Sequence, residues 1–531
     1  MGPQPHSREI PNQVLNNAFL RLSRRAESVD RATLVETFVD VGPLFTVLSS
    51  NDHQVIYGRR GTGKTHALIY LAETRKSKGE IAIYVDLRTV GSSGGLYADP
   101  ELPIAQRATR LLVDTLSFIH DGLFEFVVEN SAYLDLGTVG PLLDNLASSI
   151  TGVAVVGSKT REVSNSTAIE AATGGSTRLS VGSKFQAEVE LRDEEKTAEK
   201  REERTTETGE EQNRVHFGSV GAALRSLITS AGVRRIWLLL DEWSVIPIDL
   251  QPYLADLLRR SVFPISGMTV KIGAIEQRSI FQVPGRSGDY LGIELGADAS
   301  ADLNLDDFMV FENDATRATE FFKELIFRHY KSVEGAEYVS TADDLIHQAF
   351  TQRNAFEEFV RAAEGVPRDG INILAIAAQK ALSNPLSIPT IRQSASTWYQ
   401  RDKEAAVTAN SNARLLLHWI IDEVIGHRRA RAFLVRSDIR HPLLDALFDS
   451  RVLHVLKKNI SAHDQPGVRY NAFKLDYGCY VDLLTTVRAP AGLLPAEEGG
   501  GYVDVPPDDY RAIRTAILDI DRFEEQPKLL T

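Results

Sequence analysis

The segment Gln54–Tyr70, QVIYGRRGTGKTHALIY, constrains this chain more than any other stretch. Gly58, Arg59, Arg60, Gly61, Thr62, Gly63, Lys64 and Thr65 complete the pattern G-x-x-x-x-G-K-[ST]. Gln54–Tyr57 before it reads as a short buried strand, and Thr65–Lys76, which includes His66 in its first turn, reads as a helix. Strand, glycine loop and helix form the order such a loop requires. The glycines let consecutive N–H groups turn inward around phosphate oxygens, and the helix N-terminus adds a favourable dipole. In this pattern Lys64 reaches the terminal phosphates and the Thr65 hydroxyl holds Mg2+. The expectation is a nucleotide site built from Gly58 to His66.

A phosphate loop needs an acidic partner at the end of a neighbouring strand. Arg235–Glu242, RIWLLLDE, supplies one. Its apolar run suits a strand buried on both faces, with two carboxylates at the edge where open α/β sheets bind ligands. Asp241 is placed to orient the metal and Glu242 to polarise an attacking water, which points to hydrolysis. Thr269–Ile275 reads as a further buried strand, followed by Glu276, Gln277, Arg278 and Ser279. A polar residue here is positioned to meet the γ-phosphate or its water, and Arg278 to sense phosphate or act on a neighbour's site; a solvated strand end is the alternative. Glu364–Asp369, EGVPRD, separates helical segments Asn354–Ala363 and Ile371–Leu382. Arg368 then stands near a helix start, either reaching back to a phosphate or lying in an ordinary inter-helix turn.

GRRGTGKT, IWLLLDE, AIEQRS and GVPRD, in that order, resemble the AAA+ ATPases, and within them the group related to origin-recognition-complex ATPases and STAND signalling ATPases. The resemblance covers roughly residues 30–390. It implies ATP and Mg2+ as cofactors, Lys64 and Thr65 as Walker A, and Asp241 and Glu242 as Walker B. Gln277 or Glu276, with Arg278, then falls at sensor 1, and Arg368 at the sensor 2 position of a helical lid. Arg278 and Arg286 are the candidates for an inter-subunit arginine finger. The chain departs from the family in distance: 183 residues separate Gly58 from Asp241, so something is inserted.

The expected fold is an α/β P-loop core with a parallel sheet and flanking helices, a helical lid and a winged-helix-like C-terminal α+β domain. Residues 1–50 form a helical lead-in, 51–300 the core, 301–400 the lid and 401–531 the last domain. The insert spans 151–214 and contains no histidine, so neither a nuclease nor a metal site is expected in it. Alternating apolar residues from Leu179 to Leu191 predict a strand or hairpin, leading into an acidic run with a net charge of −5 over Glu188–Arg214. A solvated hairpin and linker, a partner contact and a membrane-inserting hairpin are the readings it leaves open. Near the C-terminus, Ala413–Ile425, Ala430–Val435, His441–Phe448, Arg451–Lys458 and Val468–Leu475 give helix, strand, helix and hairpin, and Pro507–Phe523 a final helix.

Composition matters through its distribution. The 531 residues carry a net charge of −13, yet residues 426–474 net +6, from ten basic residues against Asp438, Asp445, Asp449 and Asp464. That is the footprint of a double-stranded DNA contact, or else a solvated basic face or a contact to the chain's own acidic insert. Hydrophobic content of 43% leaves ample material for a core. A single cysteine, Cys479, rules out an intrachain disulfide. No run approaches the roughly 18 apolar residues of a membrane span, and no signal-like segment opens the chain, so a cytoplasmic location is expected. The reading as a whole is an Mg-ATP-dependent, DNA-binding or DNA-remodelling switch that self-associates when ATP-bound; the alternative is a STAND-type signalling or defence ATPase acting on a protein partner.

Overall fold

The computed structural model describes residues 10–40, 42–90, 99, 101–150, 153–164, 202–213, 215–285, 289–306, 315–335, 338–428, 430, 432–461, 467–485 and 517–524. Nine strands precede the lid among these residues: β1 (Gln54–Tyr57), β2 (Ile81–Asp86), β3 (Val153–Ser164), β4 (Glu202–Asn213), β5 (Ile236–Asp241), β6 (Met268–Ala274), β7 (Gln282–Pro284), β8 (Tyr290–Gly292) and β9 (Ser300–Asn304). Five of them pair in parallel in the order β2-β5-β6-β1-β9. This sheet with its flanking helices is a P-loop NTPase core. The acidic strand β5 is not adjacent to the loop-bearing strand β1; β6 lies between them.

Alternation along β5 explains why its apolar run is unbroken. Trp237 and Leu239 face one buried cluster, and Ile236, Leu238 and Leu240 face another on the opposite side of the sheet. The second cluster is completed by the long helix Ile104–Glu129 and by Leu136–Ile150. The first continues through the lid helices Ala315–Lys331, Ala342–Ala349, Arg353–Ala363, Pro367–Ala381 and Ile388–Asp402 into the C-terminal residues Phe433, Leu447, Leu453 and Leu475. Core, lid and C-terminal unit thus share apolar packing across the boundary near residue 400.

The C-terminal unit follows the expected order. Helix Ser411–Ile420, extended by Ile421–His427, precedes β10 (Ala432–Arg436), helix Pro442–Asp449, β11 (Leu453–Ser461) and β12 (Arg469–Leu475). These strands form an antiparallel sheet ordered β10-β12-β11. The expected final helix lies mostly outside the described residues; within the described stretch 517–524, Asp521–Glu524 is helical.

The alternating segment 179–191 of the insert lies outside the described residues. Among the described residues of the insert, β3 pairs antiparallel with β4, in register from Val153↔Asn213 to Ser164↔Glu202. β4 falls within the acidic run, for which a solvated hairpin and linker was one reading. An apolar alternation marks a strand with one buried face; a ribbon held by backbone bonds needs no such face, so the pattern is silent there.

Candidate functional site

The phosphate loop sits where β1 feeds the helix Lys64–Lys76. Gly61 has φ +88°, and a Cβ there would lie 3.0 Å from both Arg368 Cβ and Val366 Cγ1. Only glycine suits that backbone at that proximity to the lid. The Arg368 N–H donates to the Gly61 carbonyl at 3.3 Å, so the lid turn rests on the loop itself. Lys64 is buried, and its Nζ donates to the carbonyls of Gly58 (2.8 Å) and Arg59 (2.9 Å). Burial holds its pKa below the ordinary lysine value, with Asp241 opposing the shift.

Opposite the loop, Asp241 is fully buried at the end of β5. It accepts from Thr65 Oγ1 at 2.6 Å and from the Tyr84 hydroxyl at 2.9 Å. Its other oxygen accepts from the Glu242 N–H at 2.8 Å. Glu242 adopts φ 58°, a left-handed backbone that a non-glycine residue seldom takes and that accompanies functional strain. Burial, and then the Asp241 charge, raise its carboxyl above the ordinary glutamate range.

These groups face one cavity of about 410 Å3. Arg60, Gly61, Gly63, Lys64, Thr65 and His66 line it from the loop and helix, Glu242 from β5, and Arg368 from the lid. His66 Nε2 lies 2.6 Å from the Leu34 carbonyl, and burial keeps its pKa low. Six cationic side chains, Arg24, Arg25, Arg60, Lys64, Arg88 and Arg368, border the cavity against the single carboxylate of Glu242. Arg368 is held below the ordinary arginine value by burial and by the like charges of Arg451 and Arg25. Such a cluster gains from an anion. The volume lies within the usual range for small-molecule sites, and a hydroxyl beside a carboxylate suits Mg2+, which keeps most of its shell as water and phosphate oxygens. The residues therefore fit a magnesium nucleotide. Among the described residues no trio of His, Cys, Asp or Glu forms another metal site.

Several expected residues stand elsewhere. Gly58, Arg59 and Thr62 do not border the cavity. The Arg59 N–H and Nε donate to Asp306 at 3.0 and 2.8 Å, and Nη2 donates to the Glu364 carbonyl at 2.9 Å. Arg59 thus ties the loop to the segment after β9 and to the lid. Thr62 Oγ1 donates back to the Arg59 carbonyl at 2.9 Å. Gln277 is exposed on the single turn Glu276–Arg278. Arg278 forms a bidentate pair with Asp449 of the C-terminal unit, and Glu276 pairs with Lys458 at 2.5 Å. Gln251 holds that turn, donating to the Arg278 carbonyl at 3.1 Å and accepting from the Ile280 N–H at 2.7 Å. Arg286 lies outside the described residues.

Other cavity residues escape sequence reasoning. Ala26, Val29 and Leu34 from the lead-in, with Leu325 and Ile371 from the lid, form the apolar end. The periodicity through Leu34 marks a buried face without showing what that face covers. Arg88 lies just after β2, and Tyr84 of β2 reaches Asp241; neither segment carries a motif.

The lid turn is joined to the C-terminal unit by buried charges. Lys474 pairs with Glu364 at 2.7 Å, both 2% exposed. Lys403 pairs with Asp369 at 2.8 Å and with Asp476 at 2.5 Å. The imidazole of His454 donates from Nε2 to Asp476 at 3.1 Å. Burial lowers His454 to about 4, and His329, which lines the cavity beside the loop, also to about 4. Both are neutral in the fold, whereas in the unfolded chain they protonate near pH 6.5. Between those values the unfolded state binds more protons, so stability is full above about pH 6.5 and falls as pH drops toward 4. Thermal melts from pH 7 to 4.5 should show this loss, and His329→Gln with His454→Gln should flatten it; an unchanged slope in the double variant would refute the assignment.

Residues 22–82, which include the phosphate loop, match a family model described as ORC-CDC6-like. No curated protein matches the chain. Among solved structures, the Aeropyrum pernix ORC1 protein in complex with DNA aligns over 88% of this chain and 93% of its own, with 13% identity and a TM-score of 0.29. Among the described residues no helix is long and apolar enough to cross a membrane.

Proposed function

We propose that this protein is an Mg-ATP-dependent AAA+ ATPase of the origin-recognition type, working as a nucleotide-driven switch on double-stranded DNA. The observation that carries the reading is the convergence of Lys64, Thr65, Glu242 and Arg368 on one cation-rich cavity, with Asp241 bound to the Thr65 hydroxyl beside it. On this reading Lys64 exchanges its carbonyl partners for phosphate oxygens. Thr65 and Asp241 hold Mg2+, whose role is to neutralise charge on the transferred phosphoryl group. Glu242 takes a proton from the attacking water, and Arg368 couples the lid to the phosphates. The apolar end at Val29, Leu34 and Ile371 receives the base.

The DNA target rests on the basic C-terminal unit, much of which has internal partners. Lys474, Arg451 and Lys458 pair with Glu364, Asp402 and Glu276, and Arg428 donates to the Ile517 carbonyl at 2.6 Å. Arg440, Lys457 and Arg469 are exposed on or beside the winged-helix-like sheet. Reversing these three to glutamate should weaken duplex binding by about tenfold or more and flatten its salt dependence. Fluorescence anisotropy at several salt concentrations measures both. Equal binding by wild type and variant, or none at low salt, defeats the DNA reading.

The pairs Arg278–Asp449 and Glu276–Lys458 favour a second reading, a STAND-type switch in which nucleotide releases the docked C-terminal unit and permits self-association or contact with a protein partner. The insert 151–214 is a candidate surface for such a partner. Sedimentation with ADP and with ATP, each with and without duplex, separates the two: ATP-dependent oligomers without DNA binding favour signalling.

A further inference from the structure

Behind the phosphate loop lies a second, smaller cavity of about 50 Å3, enclosed between the loop, the end of β6 and the C-terminal unit. Four arginines, Arg59, Arg60, Arg278 and Arg451, wall it against one carboxylate, Asp449. Three of them already have an acidic partner: Arg59 has Asp306, Arg278 has Asp449 and Arg451 has Asp402. A guanidinium carries five N–H donors, so one carboxylate does not exhaust it. Arg59 is 7% exposed in its side chain, and its Nη1 reaches no hydrogen-bond acceptor. Arg451 Nη1 is likewise buried without one, its nearest carboxylate oxygen, on Asp369, lying 3.9 Å away.

Buried donors without acceptors are costly, and native folds leave few. Both side chains also line the void, beside Arg60 and Arg278. A void of about 50 Å3 exceeds the roughly 10–15 Å3 that a single water needs and leaves room for a small oxyanion. A nucleotide does not fit.

We propose that this cavity is a second anion site, taking one free oxyanion of the phosphate or sulfate class. The bound anion would accept from the guanidinium N–H groups that line the void, those of Arg60 and Arg278 among them, and bridge the phosphate loop to the C-terminal unit. Arg60 lines both cavities, so occupancy of either site draws on the same side chain.

The test titrates inorganic phosphate into the full chain at constant ionic strength, first with Mg-ADP saturating the nucleotide cavity and then in Lys64→Ala without nucleotide. Calorimetry and melting temperature are the readouts. Saturable binding of one phosphate per chain is expected in both arms. The Lys64→Ala arm makes the outcome independent of the ATPase reading. Arg278→Gln should weaken phosphate binding by about tenfold, the effect of losing a charge-assisted contact. Asp449→Asn, which removes the competing carboxylate, should tighten it severalfold, a gain that general damage to the fold does not produce. Absence of saturable binding up to tens of millimolar in both arms overturns the proposal. Binding that Lys64→Ala abolishes, or that neither Arg278→Gln nor Asp449→Asn changes, overturns it as well.

Discussion

Glu242→Gln should bind ATP as wild type does and lose turnover by about 100- to 10,000-fold, the usual contribution of a positioned general base. Glu242 follows a fully buried strand and takes a left-handed φ of 58°, which turns the carboxylate out of the sheet and into the cavity. Its N–H is bound by Asp241 at 2.8 Å, so glutamine can occupy the same place without repacking. Burial and the neighbouring Asp241 raise the Glu242 carboxyl, which makes it a stronger base than a solvated glutamate. The base must be unprotonated to act. The acid limb of turnover should therefore lie above the ordinary carboxylate range near 4.3 and disappear in the glutamine variant. Lys64→Ala, by contrast, should lose nucleotide binding itself. Phosphate release and equilibrium binding of a fluorescent nucleotide separate the two defects; hydrolysis by Glu242→Gln at the wild-type rate would mean that another group polarises the water.

The second large effect concerns stability. Lys403→Ala should cost about 3–5 kcal/mol, because it strands Asp369 and Asp476 as buried carboxylates without their cation. The two acids hold Lys403 above its ordinary pKa despite full burial, so the ammonium is charged throughout the physiological range. Chemical denaturation measures the loss. A triple variant, Lys403→Met with Asp369→Asn and Asp476→Asn, should recover most of it, since removing a whole buried ionic set is far less costly than breaking it. If the triple variant is no more stable than Lys403→Ala, the pairs contribute through packing and not through charge. Asp369 adjoins Arg368, so the single variant should also weaken nucleotide binding.

The parts of the site legible in the sequence are those whose chemistry is local. The glycine pattern from Gly58 to Thr65 specifies loop, helix and lysine within eight consecutive residues, and the run before Asp241 reveals a strand buried on both faces. The order of the C-terminal elements was likewise readable, because each carries its own apolar period. What was not legible is where the cations go. Ten basic residues within 426–474 look from the sequence like one outward patch. In the fold, Lys474 meets Glu364 across 110 residues and Arg278 meets Asp449 across 171.

By itself, then, the sequence determined that the chain has a P-loop core, because backbone conformation and strand burial follow from neighbours in the chain. Only the tertiary structure decided that Arg59 ties the loop to the lid. It also decided that the lead-in closes the apolar end of the cavity, and that half-hidden arginines gather behind the loop. The physical reason is the same each time. A charged or apolar side chain is free to choose its partner until folding brings one within a few ångströms, and for Arg59, Arg278 and Lys474 that partner lies more than a hundred residues away.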